Sequence, residues 1–201
     1  MSFRLRILNR IGRYQTRLRA GWHRWWFLFS ERPRHKGIEL GEGVVFFAPV
    51  RGGGQGTIRI GRGTKLGFLQ AFRFGSGEIM LQARSPEAEI VIGENCWFSN
   101  NVELTAARSI KIGNHCLIGQ GVSILDADFH EINPATRMRS EGVIEPVNIG
   151  NNVWIGSRTM VLKGVSIGDN SVIGAMSLVT KDVPANCVAA GVPARMVRKL
   201  E

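Results

Sequence analysis

The sequence predicts an all-β domain, a parallel β-helix of about six three-sided coils, preceded by an amphipathic helix and closed by a short C-terminal helix. Three observations carry this. From Ile149 the branched aliphatics Ile149, Ile155, Val161, Ile167, Ile173 and Val179 recur every six residues, and four of them are followed by glycine. Neither a helix at 3.6 residues per turn nor a strand alternating at 2 has that period, whereas three hexads make one turn of a triangular prism. The aliphatic pairs Ile38/Leu40, Ile58/Ile60, Ile90/Ile92, Ile110/Ile112, Val147/Ile149 and Val165/Ile167 each close on glycine and mark one edge of successive coils. Many of the 25 glycines thus hold a fixed phase at corners, which separates this chain from low-complexity sequences of similar composition.

The elements follow in chain order. Residues 1–36 form a basic amphipathic helix in which Phe3, Ile7, Ile11, Tyr14, Leu18, Trp22, Trp25 and Phe29 follow one another at three- and four-residue steps, with Pro33 setting its latest end. Such a stripe either packs on the β-helix or a partner subunit, or lies on an anionic membrane face with tryptophans at headgroup depth. Residues 37–193 form the β-helix. Val153, Thr159, Val165, Ser171 and Ser177 fall four places after its inward aliphatics, at small corner positions. Steps of 20 residues from 40 to 60 and from 92 to 112, and of 18 from 149 to 167, suit three hexads apiece, while the 60-to-92 step carries extra residues around Phe72–Glu89. After Ile112, Ile118 and Ile124 the phase is lost through 126–146 and then resumes. Regular coils do not need such an excursion, and a long loop leaving a rigid scaffold is a usual seat of function. Residues 194–201 are expected to form a C-terminal helix.

Charge divides the chain. Residues 1–36 hold ten bases against Glu31 alone, +9, and the remaining 16 bases and 15 acids give +1 of the total +10. A nucleic-acid role would rest on that arm, and no recognition motif accompanies it, so no nucleic-acid partner is expected. Cys96 and Cys116 take small positions after Ile92 and Ile112 and read as packing residues in a reducing compartment, while Cys187 has no assigned role. No apolar run approaches the ~18 residues of a membrane span, so the expected location is the cytoplasm, at the inner membrane face if the arm binds lipid.

The segment Asn148–Arg198, NIGNNVWIGSRTMVLKGVSIGDNSVIGAMSLVTKDVPANCVAAGVPARMVR, resembles the hexapeptide-repeat acyltransferases, and within them the galactoside and maltose O-acetyltransferases. The resemblance implies a left-handed coil, against the general right-handed crossover rule, and a homotrimer with each site in a cleft between prisms. It implies acetyl-CoA as co-substrate and no metal. Trp154 and Ser157 would line the thioester end, Ala175 would touch the pantetheine, Thr180 and Lys181 would follow it, and Arg195 and Arg198 would reach the nucleotide phosphates. Met176 stands where the family usually has glycine. The family's catalytic histidine lies in the loop that leaves the coils, which here reads Asp126-Ala127-Asp128-Phe129-His130.

His130 would remove the proton from a sugar hydroxyl as it attacks the thioester, and backbone donors near Ser157 would hold the oxyanion. The resemblance favours Glu141 as the carboxylate that orients His130, with Asp128 and Asp126 as local alternatives. Asp126 is also grouped with Asn100 or Asn101, of Phe98-Ser99-Asn100-Asn101, as meeting the acceptor. The arginine- and tryptophan-rich arm departs from the galactoside and maltose enzymes and points to a surface-polysaccharide or lipid-linked saccharide acceptor. Other readings are acyl transfer to an amino sugar or antibiotic hydroxyl, transfer of another acyl group, a coil scaffold without catalysis, or a zinc carbonic anhydrase, whose clustered histidines this sequence lacks.

Overall fold

The computed structural model describes residues 18–31, 37–68, 76–140 and 142–201. Three parallel sheets form the sides of a prism, and each of six coils gives one strand to each side. Sheet A stacks Ile38–Leu40, Thr57–Ile60, Glu89–Ile92, Ser109–Ile112, Val147–Ile149 and Ser166–Ile167. Sheet B stacks Val45–Phe46, Lys65–Leu66, Trp97–Phe98, Leu117–Ile118, Trp154–Ile155, Val172–Ile173 and Cys187–Gly191. Sheet C stacks Val50–Gly54, Ile79–Ala83, Glu103–Ala106, Ser123–Leu125, Met160–Val161 and Leu178–Val179.

The register is the one the paired aliphatics require. Ile58, Ile90, Ile110 and Val147 stand in one column, and Ile60, Ile92, Ile112, Ile149 and Ile167 in another. All are buried, as are Leu66, Phe98, Ile118, Ile155 and Ile173 of sheet B and Leu81, Leu104, Ile124, Val161 and Val179 of sheet C. Full burial of one such side chain contributes about 1.5–3 kcal/mol. The columns therefore carry the stability, and each coil depends mainly on its neighbours.

The small corner residues are buried and satisfied. Thr159, Ser171 and Ser177 donate their hydroxyls to the carbonyls of Gly174, Pro184 and Gly174. The Cys96 and Cys116 thiols donate to Gly113 and Gly150 on the next coil, and that of Cys187 to Pro184. Contact with Cys96, together with burial, pushes the Cys116 thiol up from its ordinary value, so it stays protonated. His115 turns an exposed corner in the left-handed region at φ 59°. On the outer face of sheet A, Glu89 joins Arg59 and Lys111 across three coils at 2.9 and 2.8 Å.

Residues 18–26 are α-helical and Phe27–Glu31 continue with a wider π-type turn. Among the described residues, packing of the apolar stripe on the β-helix of the same chain is not what the fold uses. Leu18, Trp22, Trp25 and Phe29 are 50–65% exposed, and the residue that docks is Phe27, off the stripe and fully buried. Its ring meets Phe46 edge-on at 5.0 Å and stands beside Gly52, where a Cβ would lie 3.0 Å from it. Gly52 pairs with Leu81 of the inward column, so the first coil lacks a side chain there and Phe27 supplies one, plugging the prism's end. Arg24 fastens the same helix face to the Val44 carbonyl at 2.8 Å. The rest of the stripe, Phe3 to Tyr14, lies outside the described residues.

The expected C-terminal helix over 194–201 is replaced by a strand. Gly191, at φ 110°, turns the chain, and Ala194–Lys199 runs back antiparallel against Cys187–Gly191. A helix of seven or eight residues has little cooperative length of its own, whereas the edge of sheet B offers a ready row of backbone partners. Among the described residues, no helix is long and apolar enough to cross a membrane.

Candidate active site

The excursion leaves the edge between sheets C and A after Ser123–Leu125 and returns into Val147–Ile149. Its base is a short antiparallel ladder: Ala127 bridges Ile144, Asp128 N donates to the Val143 carbonyl, and Glu145 N donates to that of Asp126. Above the ladder Phe129 takes φ 60°, with the Arg84 guanidinium 4.3 Å over its ring, and this turn carries His130 to the surface. His130 Nδ1 lies 3.3 Å from the carbonyl oxygen of Arg137. A carbonyl can only accept, so the contact makes Nδ1 the donor and leaves Nε2 as the free proton acceptor. Among the described residues, the group placed to fix the tautomer is thus a backbone carbonyl of the loop itself.

The carboxylates sort differently from expectation. Asp126 is fully buried, its Oδ1 taking the N–H of Ala107 at 2.6 Å and its Oδ2 those of Arg108 and Ser109 at 2.8 and 2.7 Å. That carboxylate ties the loop to the corner of the preceding coil and is withdrawn from both expected roles, meeting the acceptor and orienting His130. Asp128 pairs with Lys163 at 2.6 Å and ties the root of the loop to the next coil. Glu141 lies outside the described residues.

At the opposite edge of sheet C, where it meets sheet B, is a cleft of ≈ 870 Å³ lined by Ser76, Gly77, Asn101, Gln120, Ser157, Arg158, Ala175 and Met176, among others. Three sequence-derived candidates, Asn101, Ser157 and Ala175, meet here. Burial separates the two asparagines. Asn100 is fully buried, accepting from Phe68 N at 2.8 Å and donating to the Ser76 carbonyl at 3.1 Å, so it clamps the two flanks of the 69–75 segment. Asn101 turns outward at φ 57°, its amide pressed against Gly77 where no Cβ would fit. Met176, also in the left-handed region at φ 59°, is 65% exposed over the same cleft.

The remaining candidates lie along the outside and at the C-terminal end. Trp154 is exposed on sheet B in a column with Trp97, Leu117 and Val172. Lys181 and Arg195 converge on a cleft of ≈ 280 Å³. Arg198 stands exposed on the final strand, opposite Val188. Thr180 follows Leu178–Val179 on the C/A edge, the same edge that carries His130. His130 and the Asn101 cleft are not brought together within one chain. From Gly121 to Asp126 the chain crosses sheet C over five residues, about 16 Å at 3.3 Å per residue.

Comparison with known proteins bears on the repeats and the fold. The family description "Bacterial transferase hexapeptide (six repeats)" matches residues 146–181, and "Hexapeptide repeat of succinyl-transferase" matches 89–125. Over those residues the repeats are similar to those of the hexapeptide-repeat transferases. The galactoside O-acetyltransferase of Escherichia coli K12 is 44% identical over 113 residues, 56% of this chain and 55% of that protein. The chain spans about half the length of the curated relatives it matches. A hexapeptide-repeat acetyltransferase of Vibrio cholerae, solved with acetyl-coenzyme A, is 26% identical with a TM-score of 0.59 over 94% of this chain and 88% of that one. The polysialic-acid-specific acetyltransferase NeuO is 25% identical, with a TM-score of 0.60 over 82% and 81%.

Two residues around these clefts and the loop escape sequence reasoning. Gln120 lines the large cleft, and its Oε1 is buried with no hydrogen-bond partner. Its one sequence signal is a long polar side chain between Gly119 and Gly121 at a corner. Lys163 holds Asp128, and nothing local announces it, because the pair spans 35 positions. Among the described residues no group of three or more His, Cys, Asp or Glu is placed to hold a metal ion.

Proposed function

We propose that this chain transfers an acetyl group from acetyl-CoA to a sugar hydroxyl, with His130 as general base in a site completed between two copies of the chain. The observation that carries the reading is the sorting of candidate residues onto the two edges of sheet C. His130, Thr180 and Lys181 stand on the C/A edge, and Asn101, Ser157 and Ala175 on the B/C edge. A ring of three copies with sheet C turned inward sets the first edge of one against the second edge of the next. The outer face of sheet C suits such packing, since Met80 and Met160 are 38% and 40% exposed there.

The residues present fit the donor. The large cleft has a mixed polar and apolar lining and, in Gln120, an acceptor oxygen in want of an N–H, which a pantetheine amide would supply. Lys181 and Arg195 provide cations for phosphate at the far end. In the transfer, His130 Nε2 takes the hydroxyl proton as the oxygen attacks the thioester carbonyl. The carbon–sulfur bond then breaks, and the imidazolium returns its proton to the thiolate. Asn101 orients the acceptor, and backbone N–H groups near Ser157 meet the developing oxyanion. The proposed acceptor is a sugar of a surface polysaccharide or its lipid-linked precursor, reached at the inner membrane face.

The test is thiol release from acetyl-CoA against a panel of galactosides, oligosaccharides and amino sugars, with His130→Ala alongside. Loss of a positioned base should cost on the order of 10²–10⁴ in rate. Full activity of His130→Ala on an acceptor that the parent chain acetylates would reject the mechanism.

A further inference from the structure

The N-terminal helix carries a surface that neither the prism nor the transfer chemistry uses. Trp22 stacks on Trp25 at 5.3 Å and on Trp26 at 6.4 Å, and Trp25 stacks on Phe29 at 5.0 Å. These four rings and Leu18 are each 45–65% exposed, forming one aromatic ridge on the outside of the molecule. The opposite face, Ala20 and Phe27, is buried, so the docking of Phe27 fixes which side looks outward. Exposed tryptophan at this density is costly in water and favourable at the headgroup level of a bilayer.

From this geometry we infer that the ridge seats the protein on an anionic lipid surface. Charge selects that occupant over a second copy. The segment 1–36 carries +9, so two copies of it laid face to face repel, and the remainder of the chain, at +1, offers no net anionic counterpart. Anionic headgroups do, each basic residue near the surface contributing about a fivefold gain in partitioning. The inference rests on the proposed transfer only for its biological sense, and it explains how a lipid-linked saccharide would be met. Phe27 caps the first coil, and Asn101 belongs to the third, two strand spacings or about 10 Å further along the prism axis.

The experiment is co-sedimentation of the full chain with vesicles of phosphatidylcholine containing 30% phosphatidylglycerol, and with pure phosphatidylcholine, in the absence of acetyl donor. Binding to the anionic vesicles should exceed binding to neutral ones at least tenfold and weaken with salt. The triple substitution Trp22→Ser, Trp25→Ser and Phe29→Ser should lower it at least tenfold, while acetyl transfer to a soluble sugar is unchanged. Arg19→Glu, at an exposed position, serves as a second variant that leaves the aromatic contacts in place and should lower binding severalfold. Equal binding by the parent and both variants would overturn the inference. So would a parent chain that ignores anionic vesicles while the triple variant loses its oligomeric state, which would make the ridge a contact between copies. Sedimentation and transfer are read separately, so failure of one is not mistaken for failure of the other.

Discussion

Replacing Asp126 by asparagine removes one charge and turns one acceptor into a donor, without changing shape. In the native chain the carboxylate accepts three backbone N–H groups at 2.6–2.8 Å from a fully buried position. Hydrogen bonds to a charged group contribute about 1.5–3 kcal/mol each, and neutral ones about 0.5–1.5. The amide oxygen can keep Arg108 and Ser109, which leaves the Ala107 N–H facing an NH₂ group. The loss of charge assistance and the orphaned donor together come to roughly 3–6 kcal/mol, and the lower desolvation cost of a neutral amide returns part of it. The net expectation is about 3 kcal/mol of destabilisation. Urea unfolding at fixed protein concentration measures it, with Asp128→Asn as the comparison, since that partly exposed ion pair is worth about 1 kcal/mol or less. If Asp126→Asn costs no more than Asp128→Asn and instead raises KM for the acceptor, the assignment of Asp126 to the scaffold is wrong.

Phe27→Ala should cost about 3–5 kcal/mol, as for other buried phenylalanines, and the loss should be local. Hydrogen exchange is expected to quicken in Ile38–Leu40 and Val50–Gly54 while Ser166–Ile167 keeps its protection. The hydrogen bond from Lys111, with Ser109 and Arg59 assisting, holds Glu89 below its ordinary value of 4.5. Its contribution to stability is therefore fully present above pH 4.5 and is lost as pH falls through the lower folded value, so Lys111→Met should flatten the fall of the urea midpoint as the pH is lowered below 4.5. Gln120→Leu removes the unpaired buried oxygen. It should stabilise the chain by about 1–2 kcal/mol, while raising KM for acetyl-CoA several-fold in the thiol-release assay.

The coil architecture was readable because a hexad fixes one thing, the return of the chain to an inward position, and burial acts on that directly. Ile149 through Val179 all point inward as the period requires, and the loss of phase at 126–146 correctly marks where the chain leaves the scaffold. A hexad does not say which way a polar corner residue turns. Asp126 and Asp128 look equivalent in sequence, yet the donors that capture Asp126 belong to a coil 17 to 19 residues earlier, and the base that captures Asp128 lies 35 residues later. Asn100 and Asn101 likewise differ only in which of them the left-handed corner turns outward. The helical stripe identified an apolar face but not its destination, because Phe27 anchors the helix from off the stripe by filling the space above Gly52. The C-terminal strand was missed since its partner edge, Cys187–Gly191, exists only once the sixth coil has closed.

That last hairpin has a bearing on solubility. A parallel prism ends in open backbone rows that another prism could extend without limit, which is the route by which stacked β-structures become fibres. Ala194–Lys199 folds back over one of those rows in the opposite direction and presents Arg195, Arg198 and Lys199 to solvent, so an approaching copy meets reversed polarity and like charge. Shortening the chain at Gly191 would expose the row beneath and convert a terminator into a template for end-to-end polymerisation.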